Sequence, residues 1–188
     1  MVEILRVFAF ALGSALGPAL PVLGSALPVL VPNVANYCDP AVFNAPPPRP
    51  FGSSAQPLHC EPYVVGTPKG ALYLVVARTE PERERGLMNV TDLEPHAGVL
   101  FVFAETAPRE FWMKNTLIPL DMVFLDEKGT VTSIAARVPA STAKTSDLDV
   151  ARRQGRGKYV IELRAGEAVE NGLKPGTQLT LPPVLAEP

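Results

Sequence analysis

Between Phe111 and Asp121 the chain reads Phe-Trp-Met-Lys-Asn-Thr-Leu-Ile-Pro-Leu-Asp, placing its only tryptophan beside a lysine, an asparagine and an aspartate. Apolar runs flank this stretch, Val99 to Phe103 before it and Met122 to Leu125 after it. Charges set among such residues must be paired or reach a rim, because burying an unpaired one costs several kcal/mol, roughly. The chemistry these types could do is recognition. Trp112 can stack on a ring or sugar, Lys114 can bind an anion, and Asn115 and Asp121 can exchange hydrogen bonds with a ligand. On a strand, Trp112, Lys114 and Thr116 share one face while Phe111, Met113 and Asn115 share the other. A plainer reading makes Lys114 and Asp121 an ion pair near a sheet edge, with Trp112 in the core and Asn115 in the turn before Pro119.

A catalytic reading would pair Asp121 with Glu162 or Glu110 for acid-base hydrolysis of an envelope polymer. Its support is the presence of carboxylates alone. The two histidines, His59 and His96, make no Ser-His-Asp set and repeat no zinc-ligand interval, so neither a metal nor a cofactor is called for. The basic run Arg152-Arg153-Gln-Gly-Arg156-Gly-Lys158 could meet an anionic polymer or lipid, although such a run is more often simply solvated.

The elements that must position these residues occupy the C-terminal two-thirds. The chain has 188 residues, 17 basic and 19 acidic side chains and a formal net charge of -2, which gives no electrostatic footprint for DNA or RNA. Residues 1–31 read as an export signal or membrane anchor: Arg6 precedes an uncharged segment from Val7 to Val31, with an apolar core at Val7 to Leu12. Pro18, Pro21 and Pro28 weigh against a spanning helix. Leu-Gly-Ser-Ala-Leu occurs at 12–16 and again at 23–27, a repeat too short for a solenoid. The expected location is therefore outside the cytoplasm, periplasmic or secreted, with membrane contact only through this segment if it stays uncleaved.

Residues 32–68 are dense in proline and read as an extended linker. Cys38 and Cys60 both lie in it, and in an oxidising compartment they could close a loop worth roughly 3 kcal/mol by chain-entropy arguments.

Residues 69–183 then read as one β-rich domain. Ala71–Ala77 is a β-branched apolar run, and Thr79 with Glu82 forms a capping box for a short helix ending at Gly86. Val99–Phe103 and Arg109–Asn115 read as two strands joined by a loop at 104–108. Leu120–Asp126 and Thr130–Val138 form a hairpin turning at Gly129. Pro139 to Gly157 lacks periodicity and reads as a long loop near the mouth of the site. Lys158–Arg164 alternates as a half-buried strand, Gly166–Gly172 is a short helix, and Thr177–Leu181 a last strand. Without βαβ spacing, the expected fold is mainly β (α+β): a small antiparallel closed or half-closed barrel-like domain with two short helices.

Four motifs, Arg83-x-x-Gly-Leu-Met88, Gly98-x-Leu-Phe-Val-Phe103, Phe111-Trp-Met-Lys-Asn-Thr-x-x-Pro-Leu-Asp121 and Tyr159-Val-x-Glu-Leu163, together resemble a bacterial and archaeal family catalogued as domain of unknown function 192. The resemblance covers residues 71 to about 181. It implies a small β-rich domain, often behind an export signal, and carries no established activity. The family commonly has an aromatic-arginine pair after Gly-Leu-Met, where Asn89-Val90 stands here. If that arginine contacts a ligand in relatives, the role is missing here or filled by Arg109. Arg83 and Arg109 therefore join Trp112, Lys114, Asn115 and Asp121 as ligand-binding candidates. The reading that results is an exported binding or accessory module of the cell envelope, taking a small-molecule or glycan ligand.

Overall fold

Six strands line up as one open sheet in the order β1-β2-β3-β6-β4-β5. In chain order they are β1 (Tyr63–Thr67), β2 (Gly70–Ala77), β3 (Ala97–Trp112), β4 (Leu120–Leu125), β5 (Val131–Val138) and β6 (Arg152–Arg164). Among the described residues, two short helices, α1 (Glu80–Arg85) and α2 (Glu167–Glu170), complete the elements. The computed structural model describes residues 62–181, so the leader, Cys38 and Cys60 lie outside the described residues.

The capping box forms at Thr79: the Glu82 carboxylate accepts from the Thr79 backbone N–H at 2.9 Å and from the Arg78 N–H at 2.7 Å. Gly86, at φ 44°, ends the helix in a conformation that favours glycine. The β4–β5 hairpin also forms as its turn residues require, with Gly129 at φ 79° and Asp126 accepting from Lys128 and Thr130.

Six expectations need correction. The sheet does not close into a barrel; β1 and β5 are its edges. Residues 63–67, assigned to the linker, form β1 because Gly66 and Thr67 can hairpin directly onto Ala71 and Gly70. β2 and β3 run parallel across α1, a crossover that the irregular stretch after Gly86 conceals. The two strands foreseen at 99–103 and 109–115 are one strand with a bulge, the register to β6 jumping between Val102 and Ala107. Finally, β6 begins at Arg152, well inside the foreseen loop, because Arg152–Gly157 pairs with Trp112–Ala107. Near the C-terminus only an isolated bridge, Thr130 to Gln178, replaces the expected last strand.

Alternation along the central strands divides the core into two faces. Val75, Val99, Phe101, Met122, Phe124 and Val160 pack on one, with Leu87, Val90 and Leu93 from the connection after α1. Leu74, Leu100, Val123, Ile161 and Leu163 pack on the other, with Ala168 of α2. Phe101, Phe124, Met122 and Ile161 are fully buried, each worth about 1.5–3 kcal/mol against exposure.

Candidate functional site

The end of the β3–β6 ribbon holds the residues singled out by type. Trp112 pairs across the strands with Arg152 and Glu110 with Gln154, so these four side chains share one face. Trp112 is 41% exposed, unusual for the chain's one indole. Two cations approach its ring, Lys114 Nζ at 5.5 Å and Arg152 Cζ at 5.4 Å, both within cation-π range. Each cation also has an acid. Lys114 Nζ lies 2.5 Å from Asp147 Oδ1, and Arg152 Nη1 donates to Glu110 Oε1 at 3.1 Å. Hydrogen bonds from Gln154 first, then Arg152, hold the Glu110 carboxyl below its usual range; the bond from Lys114 does the same for Asp147.

The segment 139–151 borders this face, as foreseen for the longer loop. Asp147 reaches Lys114, the Ser141 hydroxyl donates to the Met113 carbonyl, and the Met113 N–H donates to Ala151 O at 2.9 Å. Met113, fully buried, thereby anchors the strand end from beneath while Trp112 and Lys114 stay at the rim. Asn115 lies in the turn that follows, at φ 51°, and its carbonyl accepts from the Asn89 N–H at 2.8 Å. Asn89 is itself at φ 64°, so two asparagines, a residue type that tolerates the left-handed region, lock two turns together.

Asp121 does not belong to this face, and neither does it pair with Lys114. It is fully buried, with Oδ1 accepting from the Arg137 N–H at 2.7 Å and Oδ2 from the Gly166 and Ala168 N–H groups at 2.9 and 3.0 Å. Three backbone amides fix it as the anchor of α2 and of the end of β5. The expected concavity shared by Trp112, Lys114, Asn115 and Asp121 is therefore reduced to its strand-end members.

The carboxylate pairs also fall. Asp121 faces Leu163 across β4 and β6, whereas Glu162 faces Met122, so Asp121 and Glu162 project from opposite sides of the sheet. Glu110 is held at the rim by Arg152 and Gln154, away from the buried Asp121. The two pairings named from the sequence, Asp121 with Glu162 and Asp121 with Glu110, therefore do not form.

Glu162 is the residue whose setting the sequence did not disclose. It is 5% exposed in the central strand, with Val99 and Met122 as cross-strand neighbours. A Cβ built on Gly86 would come 3.6 Å from its Oε2 and 3.0 Å from the Phe101 ring. Burial alone pushes its carboxyl up to about 8. The signal was present in the alternation Tyr159-Ile161-Leu163, which obliges Val160 and Glu162 to share the other, equally covered, face.

Arg83 and Arg109 meet over one ring. Their guanidinium carbons lie 5.1 and 4.1 Å from the centroid of Phe103, which packs edge to face on Phe111. Arg83 donates to the Arg78 and Val102 carbonyls and pairs with Glu80; Arg109 donates to Gly157 O at 3.3 Å and Glu105 O at 2.8 Å. Both thus bind backbone at or beside the β3 bulge, whose residues 103–106 have no partner on β6. Burial is the main cause lowering the Arg109 pKa; Glu105 opposes it and Arg83 adds to it.

No group of histidine, cysteine, aspartate and glutamate side chains suited to a metal occurs among the described residues. Comparison with known proteins gives the context. The family model described as an uncharacterized group, domain of unknown function 192, matches residues 64–181. A crystal structure from Sinorhizobium meliloti 1021, provisionally described as a transcription regulator, is 35% identical, covering 62% of this chain and 89% of that one at a TM-score of 0.53. A protein of unknown function from Novosphingobium aromaticivorans DSM 12444 is 29% identical, covering 75% and 96%, also at a TM-score of 0.53. No curated protein matches the chain.

Proposed function

The chain belongs to the family of domain of unknown function 192, and from that premise we propose that it is an exported binding module of the cell envelope. Its ligand, a small molecule or glycan, stacks on Trp112. The observation that carries the proposal is the exposure of this single indole, 41%, between two cations at the end of a rigid ribbon. A flat apolar surface costs free energy in water, and partial exposure of the largest side chain in an otherwise ordered strand is what a stacking platform requires. Lys114 and Arg152 would favour a ligand carrying an acidic group, since each can exchange its rim carboxylate for one on the ligand. Nucleic acid is not among the partners proposed, because these two cations, like Arg83 and Arg164, each have a carboxylate partner. Export rests on the leader at 1–31, and cell fractionation tests it: full-length protein recovered from the cytosol would overturn that part.

The binding test uses the indole as its own reporter. Titration with soluble cell-wall glycan fragments and with sugar acids should shift or quench the emission of Trp112 saturably. Calorimetry with Trp112→Ala should show that binding gone, while the thermal midpoint stays nearly unchanged. Binding that survives Trp112→Ala would place the ligand elsewhere and refute the assignment.

A further inference from the structure

The outer face of the β3–β6 ribbon continues past Trp112. Over residues 107–112 and 152–157 the strands pair without a register shift: Trp112 faces Arg152, Glu110 faces Gln154 and Pro108 faces Arg156. All of these side chains are exposed, whereas Arg109, Phe111 and Arg153, which alternate with them, are partly covered. Phe111 turns inward, edge to face on Phe101 and Phe124. Alternation thus leaves one outer platform, and Arg152 and Gln154 meet on it by donating to the two oxygens of Glu110.

The charges on this platform are ordered along the strands. Arg152 pairs with Glu110 beside Trp112, Gln154 comes next, and Arg156 stands at the far end with no carboxylate in ion-pairing distance among the described residues. From Arg152 to Arg156 the extended strand covers about 13 Å, at about 3.3 Å per residue. A single sugar ring on the indole cannot reach Arg156; a short oligosaccharide can. Glu110 lies between the two arginines, so a polymer charged at every unit would set one of its anions against this carboxylate. A neutral unit suits that position, because its hydroxyls can donate to Glu110 and accept from the remaining Gln154 amide hydrogen.

We propose that the ligand of the Trp112 platform is a short oligosaccharide in which acidic sugars alternate with neutral ones, lying along the ribbon from Trp112 to Arg156. This rests on the stacking role of Trp112 and names the ligand class of that same site. One acidic ring stacks on the indole beside Lys114 and Arg152, a neutral ring crosses Glu110 and Gln154, and the next acidic ring meets Arg156 beside Pro108. Arg156 offers a charge that no protein acid has already met, so affinity grows with ligand length.

The test takes the full chain and follows Trp112 emission and binding heat with glucuronic acid, with a tetrasaccharide of alternating glucuronate and N-acetylglucosamine, and with tetragalacturonate, acidic at every ring. The alternating tetrasaccharide should bind at least tenfold tighter than either of the others. Arg156→Gln should cut its advantage over glucuronic acid at least fivefold, and Arg156→Lys should retain most of it. Glu110→Gln should narrow its advantage over tetragalacturonate. If glucuronic acid binds at Trp112 while the tetrasaccharide binds no tighter, or if Arg156→Gln leaves the advantage intact, the extended path is overturned and the stacking platform stands. Tighter binding of tetragalacturonate, or of an oligonucleotide of similar length, overturns the ligand class. If no probe perturbs Trp112, the platform and this inference fall together.

Discussion

Removing the charge-bearing group at Glu162 should change how stability depends on pH more than any other single substitution in the core. In the unfolded chain this carboxyl titrates near 4.5; in the fold, burial raises it to about 8. The unfolded state therefore releases its proton first, and between these values the folded state holds more protons. Stability contributed by the neutral acid is fully present below about 4.5, is lost as pH rises, and levels off above about 8. The interval is about 3.5 pH units, and at 1.36 kcal/mol per unit the loss is on the order of 5 kcal/mol. Glu162→Gln keeps the shape and cannot ionise. Urea unfolding at intervals from pH 4 to pH 9 should show the wild-type curve falling relative to the variant, by about 3 kcal/mol at pH 7 and most at the alkaline end. Parallel pH profiles for the two proteins would refute the reasoning, since they would mean that the folded carboxyl is ionised at its ordinary pH.

Asp121→Asn should cost about 3 kcal/mol in denaturant unfolding, because the amide nitrogen that replaces one carboxylate oxygen would face the donating N–H groups of Gly166 and Ala168. Gly155→Ala should cost about 1–3 kcal/mol, since its Cβ would stand 2.4 Å from the Phe124 ring, which would have to leave its place. Glu167→Ala should cost about 2 kcal/mol and speed amide exchange at His96, whose N–H donates to both Glu167 oxygens at 3.0 and 2.9 Å.

What was legible in the sequence was local. The Thr79 capping box and the hairpin at Gly129 are set by side chains within a few residues of one another, and both form. Trp112 and Lys114 do come together as the motif suggested, although β3 ends at Trp112 and Lys114 approaches from the turn after it rather than by strand alternation. What stayed hidden depends on pairings distant in sequence. Pro108 argues for a break in β3, yet the strand continues because the break is a bulge, and carbonyls within and beside it, Glu105 and Val102, accept from Arg109 of β3 itself and from Arg83 of α1. The basic run at 152–158 looks like a solvated loop until Trp112 and Ala107 are found opposite it. Asp121 reads as a site residue because its letters stand next to Lys114 by motif; its partners, Gly166 and Ala168, come from the far side of β6 in sequence.

The sheet order has a consequence for how the molecule is assembled. β6, the last strand made, lies between β3 and β4 and is hydrogen-bonded to both. Until residues 152–164 arrive, β1-β2-β3 and the β4–β5 hairpin have no strand to join them, and each presents an open, apolar edge. Such distant pairing slows folding, because the loop entropy is lost before the contacts form. A ribosome that has not yet released the final fifth of this chain, from Arg152 onward, holds two unfinished parts of the sheet, so the polypeptide keeps a threadable, unassembled form for as long as its synthesis continues. On the proposal that residues 1–31 direct export, this delay would leave translocation an interval before the keystone strand closes the structure.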